Sequence, residues 1–181
     1  MGDAIKPDIL QIKVTLRETK PPVWRRLLLP SNLNLEHLHQ ILQLAMGWMD
    51  CHLHEFEIGG RRFGAKDPDF DGVDERKVKL RDVLGVKGAK GKYTYDFGDG
   101  WEHSLLVEKV LPPEPGKAYP MCVAGKRACP PEDCGGPWGY EEFLEAMADP
   151  EHEQHEELSE WIGGEFDPEA FDVDEVNAML K

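Results

Sequence analysis

The chain has 181 residues, 40% of them hydrophobic, with 21 Lys+Arg against 35 Asp+Glu and a formal net charge of −14. That size suits one domain whose core forms without disulfide staples or a structural metal. No apolar run approaches the roughly 20 residues that span a bilayer, and Met1 to Leu10 lacks a basic stretch followed by an apolar signal core, so a cytosolic protein with no membrane partner is expected.

Ile9 to Arg17 alternates as a strand with one buried face, and after Lys20-Pro21-Pro22 the segment Val23 to Leu29 reads as a second strand closed by Pro30. Asn34 is a fitting N-cap for a helix whose Leu38, Ile41, Leu42, Ala45 and Met46 recur at helical spacing, with Gly47 as its stop. Leu53 to Ile58 predicts a third strand, Gly59-Gly60 turns into Arg61-Arg62-Phe63, and Asp67 to Glu75 is an acidic loop. Tyr93 to Phe97 and Trp101 to Val110 predict strands joined by Gly98-Asp99-Gly100, a strong hairpin signal. Residues 111–139 hold seven prolines, five glycines and three cysteines and read as a loop. Helical spacing returns at Tyr140, Phe143, Leu144 and Met147, again at Leu158, Trp161 and Ile162, and finally at Val176, Met179 and Leu180 behind the cap Asp172. The order predicts an α+β fold: a single domain over 1–181 with a largely antiparallel sheet, one early helix and a helical C-terminal third. Strands and that helix fill 1–110, the Pro/Gly/Cys loop 111–139, and acidic helices 140–181.

Charge is uneven. Residues 1–129 hold 20 basic and 18 acidic side chains, whereas 130–181 hold Lys181 against 17 acids. The acidic third repels polyanions, so nucleic acid is a poor partner unless one face is locally basic. The stretch Arg76 to Lys92, with seven basic residues and Asp82, could serve a phosphate, but docking onto the chain's own acidic third is the expected use.

Several motifs fail on inspection. Asp96-Phe97-Gly98 spells a kinase triplet without the other kinase signatures, and Gly88 to Lys92 lacks the residues of a phosphate loop. Serines occur only at 31, 104 and 159, with no G-x-S-x-G or H-E-x-x-H. Asp67-x-Asp69-x-Asp71-Gly72 opens like a calcium loop, but its twelfth position is Val78 rather than a bidentate Glu.

The four cysteines, in a chain without a secretion signal, are expected to be thiols. Cys122, Cys129 and Cys134 lack a C-x2-C knuckle, yet with His103 they offer zinc the thiolate and imidazole donors it prefers. His52, His54, Phe56 and Ile58 share one side of an extended segment, and His103 lies beside Trp101 and Leu105. These imidazoles with Asp96 and Asp99 form either a metal site or a metal-free buried polar cluster. His37, His39, His152 and His155 are expected on solvated helix surfaces.

In order along the chain, Pro22-Val23-Trp24-Arg25-Arg26, Ala45-Met46-Gly47-Trp48, His52-Leu53-His54-Glu55-Phe56, Tyr95-Asp96-Phe97-Gly98-Asp99-Gly100-Trp101-Glu102-His103 and Cys129-Pro130-Pro131-Glu132-Asp133-Cys134-Gly135-Gly136 together resemble the plasmid pRiA ORF-three-like family. The resemblance spans nearly the whole chain. It implies bacterial or archaeal proteins, some described as passengers of insertion elements with a resolvase-like label, and no characterised activity. A serine recombinase needs a nucleophilic serine amid an arginine cluster, and only Ser31, near Arg25 and Arg26, approaches this.

Three readings follow, and the residues do not decide whether the chain is an enzyme. One is a non-catalytic binding module, with a pocket between the sheet and the Cys-rich loop lined by Trp48, His52, His54, Asp96, Asp99, Trp101, His103 and Trp138, for a peptide, small ligand or partner protein. A second is a metal-dependent hydrolase or nuclease in which His52, His54 and His103 with Asp96 or Asp99 hold the ion. The third is nucleic-acid binding through Arg76 to Lys92.

Overall fold

A computed structural model of the chain describes residues 7–181. The two N-terminal alternating segments become β1 (Ile9–Leu16) and β2 (Trp24–Pro30), paired antiparallel with Ile9 opposite Pro30 and Thr15 opposite Trp24. The chain then enters α1 (Leu35–Met46). Asn34 accepts the amide hydrogen of His37, and Gly47, at φ 89°, takes the left-handed conformation that ends the helix.

Next come β3 (His54–Ile58), β4 (Arg61–Gly64) and the two-residue β5 (Val73–Asp74). A single 3-10 turn, Glu75–Lys77, leads into the short α2 (Leu80–Val83). The hairpin is β6 (Lys90–Tyr95) and β7 (Trp101–Leu111), in register from Lys90 opposite Leu106 to Tyr95 opposite Trp101. β8 (Met121–Lys126) follows, and the acidic third forms α3 (Gly136–Ala148), α4 (His155–Ile162) and α5 (Val173–Met179). Asp172 caps α5 by accepting from the amides of Asp174 and Glu175.

The strands of the described residues join one sheet in the order β5-β4-β3-β6-β7-β1-β2-β8, antiparallel except for β4 with β5. The fold is therefore α+β, a single compact unit. Helix α1 crosses one face of the sheet. Tyr93 on β6 reaches His39 and Gln43 on α1, and Arg25 on β2 donates to the Ala45 carbonyl. Beneath it Leu35, Leu38 and Leu42 meet Ile12, Val14, Phe56 and Phe63 in the core, each fully buried side chain worth roughly 1.5–3 kcal/mol. No helix among the described residues is long and apolar enough to cross a membrane.

The 111–139 segment is a loop only in part, since β8 lies within it and pairs with β2. Its outer edge is closed by α5, where the Asn177 carboxamide accepts from the Cys122 amide and donates to the Cys122 carbonyl, both at 2.8 Å.

The basic stretch does not dock on the acidic third. Arg76 pairs with Asp74, Arg81 with Asp82, and Lys92 with Glu57 and Glu102. Among the described residues, the ion pair made by an acid of 130–181 with a Lys or Arg is Glu169 with Arg127, and Asp133 lies near His52 instead. Carboxylates adjacent in the chain or across the sheet reach these bases first.

Candidate functional site

At one end of the sheet three connections meet: residues 47–53 after α1, the 96–100 turn between β6 and β7, and the Cys-rich loop leading into α3. Side chains knit them together. The Trp48 indole donates to the Pro130 carbonyl at 3.0 Å, and the Met49 amide donates to Glu132 Oε1 at 2.8 Å. The Asp96 amide donates to the Leu53 carbonyl, and Asp99 Oδ2 accepts from the Gly135 amide. Gly136 opens α3 at φ 71°, and a Cβ there would lie 2.4 Å from the Asp99 carbonyl oxygen, so only glycine lets the helix approach this turn.

Under these connections lies a packed layer of rings. Trp48 stacks on Tyr95 at 4.9 Å between centroids, lies 6.1 Å from Trp101, and meets the His103 ring edge-on at 5.3 Å. Trp48, Tyr95, Trp101 and His103 are all buried. The pocket expected between sheet and Cys-rich loop is thus filled, because the Trp48 side chain occupies the space and clips the loop down. His103 points its Nδ1 at the Tyr93 carbonyl, 3.3 Å away, while its Nε2 has no partner. Burial lowers its pKa to about 4 and keeps it neutral.

His54 leaves this group for another. Its Nε2 bonds Glu75 Oε2 at 2.8 Å, and its ring stacks on His39 at 3.4 Å with planes 5° apart. His39 Nε2 in turn bonds Asp50 Oδ1, and its Nδ1 meets the Tyr93 hydroxyl. His39 is buried rather than solvated, a correction whose signal was in the sequence: it stands four residues after Leu35 and three before Leu42, on the apolar side of α1. Burial and the neighbouring His54 lower its pKa.

The thiols and His103 do not converge on a metal. Strand β8 carries Cys122 into the core, where its thiol faces the Ala124 carbonyl. Burial pushes the Cys129 thiol well up and that of Cys134 up to about 12. Among the described residues, two sets of three His, Cys, Asp or Glu side chains bring donor atoms within 4.8 Å of one another, and neither contains a cysteine: His39, Asp50 and His54, and His52, Asp96 and Asp133. The Asp67 to Asp71 loop belongs to neither and instead bonds within itself, the Asp69 amide donating to the Asp67 carboxylate.

The open part of the site is its rim. There His52 Nε2 lies 3.0 Å from Asp133 Oδ1 and 3.7 Å from Asp96 Oδ2. Glu132 accepts from the Tyr95 hydroxyl at 2.9 Å, and burial together with this bond raises the Tyr95 pKa. Beside the rim a groove of about 280 Å³ runs between α3 and α4, lined by Asp133, Cys134, Glu142, Phe143, Glu157 and Trp161 among others. Trp138, on the first turn of α3, points outward and is 80% exposed. The sequence singled out His52, Asp96 and Asp99 but not Asp133, although Asp133 stands beside Cys134 in the quoted segment.

Comparison with known proteins places these residues in context. A family model described as "Plasmid pRiA4b ORF-3-like protein" matches residues 8–175. A protein of Sinorhizobium fredii, described as uncharacterized protein y4hQ, is 46% identical over 176 residues, covering 95% of this chain and 90% of its own. The crystal structure of a Methanosarcina mazei protein of unknown function, MM3350, superposes with a TM-score of 0.85 at 43% identity, over 92% of this chain and 96% of that one.

Proposed function

Because the chain belongs to the plasmid pRiA4b ORF-3-like family, and the relatives described above are themselves uncharacterised, its own surface must supply the reading: we propose that it is a binding module whose knitted sheet end takes a segment of a partner protein. One observation carries this. Of the five most exposed large apolar side chains among the described residues, three (Met49, Leu53 and Phe97) belong to the connections that meet there and a fourth, Trp138, to the first turn of the helix that the Cys-rich loop enters. Leaving such side chains in water is unfavourable unless something covers them, and their grouping on one rim is what an interaction surface requires. The groove beside them adds Trp161 and the carboxylates of Asp133, Glu142 and Glu157. The partner segment that fits is therefore apolar with basic side chains. Those acids disfavour a nucleic-acid occupant.

The test is selection from a random displayed peptide library on the immobilised protein. Enriched peptides are expected to combine aromatic or aliphatic residues with Lys or Arg. Their affinity should fall roughly tenfold or more in Trp138→Ala and in Phe97→Ser, as for a truncated hot-spot aromatic. Val86→Ser, which alters the fifth exposed side chain away from this end, should bind like the wild type. Absence of enrichment, or equal binding by all variants, would reject the reading.

A further inference from the structure

The two convergent sets of donor atoms differ in what they leave unsatisfied. In the His39, Asp50 and His54 set both imidazole Nε2 atoms already bond carboxylates, at 2.8 Å to Asp50 and to Glu75. Their rings are parallel, with centroids 3.4 Å apart. An imidazole lone pair lies in the ring plane, so an ion shared by these two rings would sit well out of both planes. This set is a closed hydrogen-bond network.

The second set is open. His52 Nε2 is buried and has no hydrogen-bond partner among the described residues: Asp96 Oδ2, at 3.7 Å, is too distant to accept from it, and Asp133 Oδ1, at 3.0 Å, makes no hydrogen bond with it. A buried ring nitrogen without a partner is costly. Asp96 and Asp133 also converge here with like charges. The arrangement is held from outside: Asp96 Oδ1 accepts from the amides of Gly98 and Asp99, which leaves Oδ2 turned to His52, and the Tyr95 ring meets the imidazole at 70°. Metal ligands are oriented by such outer bonds.

The donor separations of 3.0 and 3.7 Å bracket the spacing of ligands around one small ion, about 2.9 to 3.4 Å for bonds near 2.1 Å. We propose that His52, Asp96 and Asp133 bind one divalent transition-metal ion of the zinc or manganese class. Its two positive charges balance the two carboxylates, of which Asp133 is exposed and lines the α3–α4 groove. One nitrogen and two oxygen donors, without a thiolate, select this class over soft ions. The site does not depend on a protein partner.

Protein stripped with chelator and dialysed should be titrated with Zn²⁺, Mn²⁺ and Co²⁺ alone, followed by calorimetry and, for cobalt, by absorption. One equivalent is expected to bind, with visible d–d bands and no near-ultraviolet thiolate-to-cobalt band. His52→Gln and Asp133→Asn should each weaken binding about tenfold or more while the metal-free variants keep the circular dichroism of the folded wild type. Asp133 is exposed and, like Asp96, has a left-handed backbone (φ 59° and 57°) that asparagine also adopts, so Asp133→Asn and Asp96→Asn are variants expected to fold. Binding weaker than about millimolar, a thiolate band, or affinity undiminished in these folded variants would overturn the assignment.

Discussion

Replacing Trp48 by alanine is expected to lower the stability of the folded chain by about 3–5 kcal/mol, the range for truncating a buried Trp or Phe. The side chain does two jobs. Its ring fills the layer between Tyr95, Trp101 and His103, so truncation leaves a cavity bounded by rigid aromatics that cannot collapse into it. Its indole N–H holds the Pro130 carbonyl, which fixes the loop that supplies Glu132 and Asp133. Trp48→Phe separates the two jobs: it keeps much of the packing and loses the hydrogen bond, so it should cost less than the alanine variant. Urea unfolding followed by circular dichroism measures both. A loss below about 1 kcal/mol in Trp48→Ala would mean that the ring layer is not part of the cooperative core.

Acidification from pH 7 to pH 4 should remove about 3 kcal/mol through His103 alone. Its folded pKa is lowered to about 4 from an ordinary 6.5, chiefly because burial among Trp48 and Tyr93 excludes water from the charged form. The native state therefore disfavours a proton that the unfolded chain accepts readily. Its stabilising effect is fully present above pH 6.5 and is lost as the pH falls toward 4. His39, whose pKa is also lowered, acts in the same direction. Glu108 contributes at lower pH: its bond to Arg26 holds its pKa down to about 2, so that stability disappears as the pH falls from the ordinary carboxylate range toward 2. Urea midpoints at half-unit steps between pH 7 and 4 should fall steadily, and His103→Phe, although less stable, should show a flatter profile over that window. A wild-type midpoint independent of pH above 4.5 would contradict a buried neutral imidazole.

Local elements were legible in the sequence because their signals are local. The Asn34 and Gly47 caps, the alternating strands and the Gly98-Asp99-Gly100 turn each act within a few residues, and the structure has all three. The β8 strand was hidden because its partner, β2, lies far away in sequence and its alternation is brief, set between prolines and glycines. The candidate site divides the same way. His52, Asp96 and Asp99 stood out because they lie in or beside strands. Asp133 did not, since only the fold carries the Cys-rich loop over the hairpin turn. The aromatic pocket inferred from Trp48, Trp101 and His103 turned out to be core, because residue type alone does not tell a ring that lines a cavity from one that fills it.

The Asn177 clamp on Cys122 has a consequence for how these molecules behave in company. A sheet's border strand offers free amides and carbonyls to any chain that can lie alongside, the usual route to edge-to-edge aggregation. At Cys122 a side-chain amide already stands in for such a neighbour, carried by a helix rich in negative charge. Helix α5 therefore stands where a second copy's strand would have to lie to continue the ladder at Cys122.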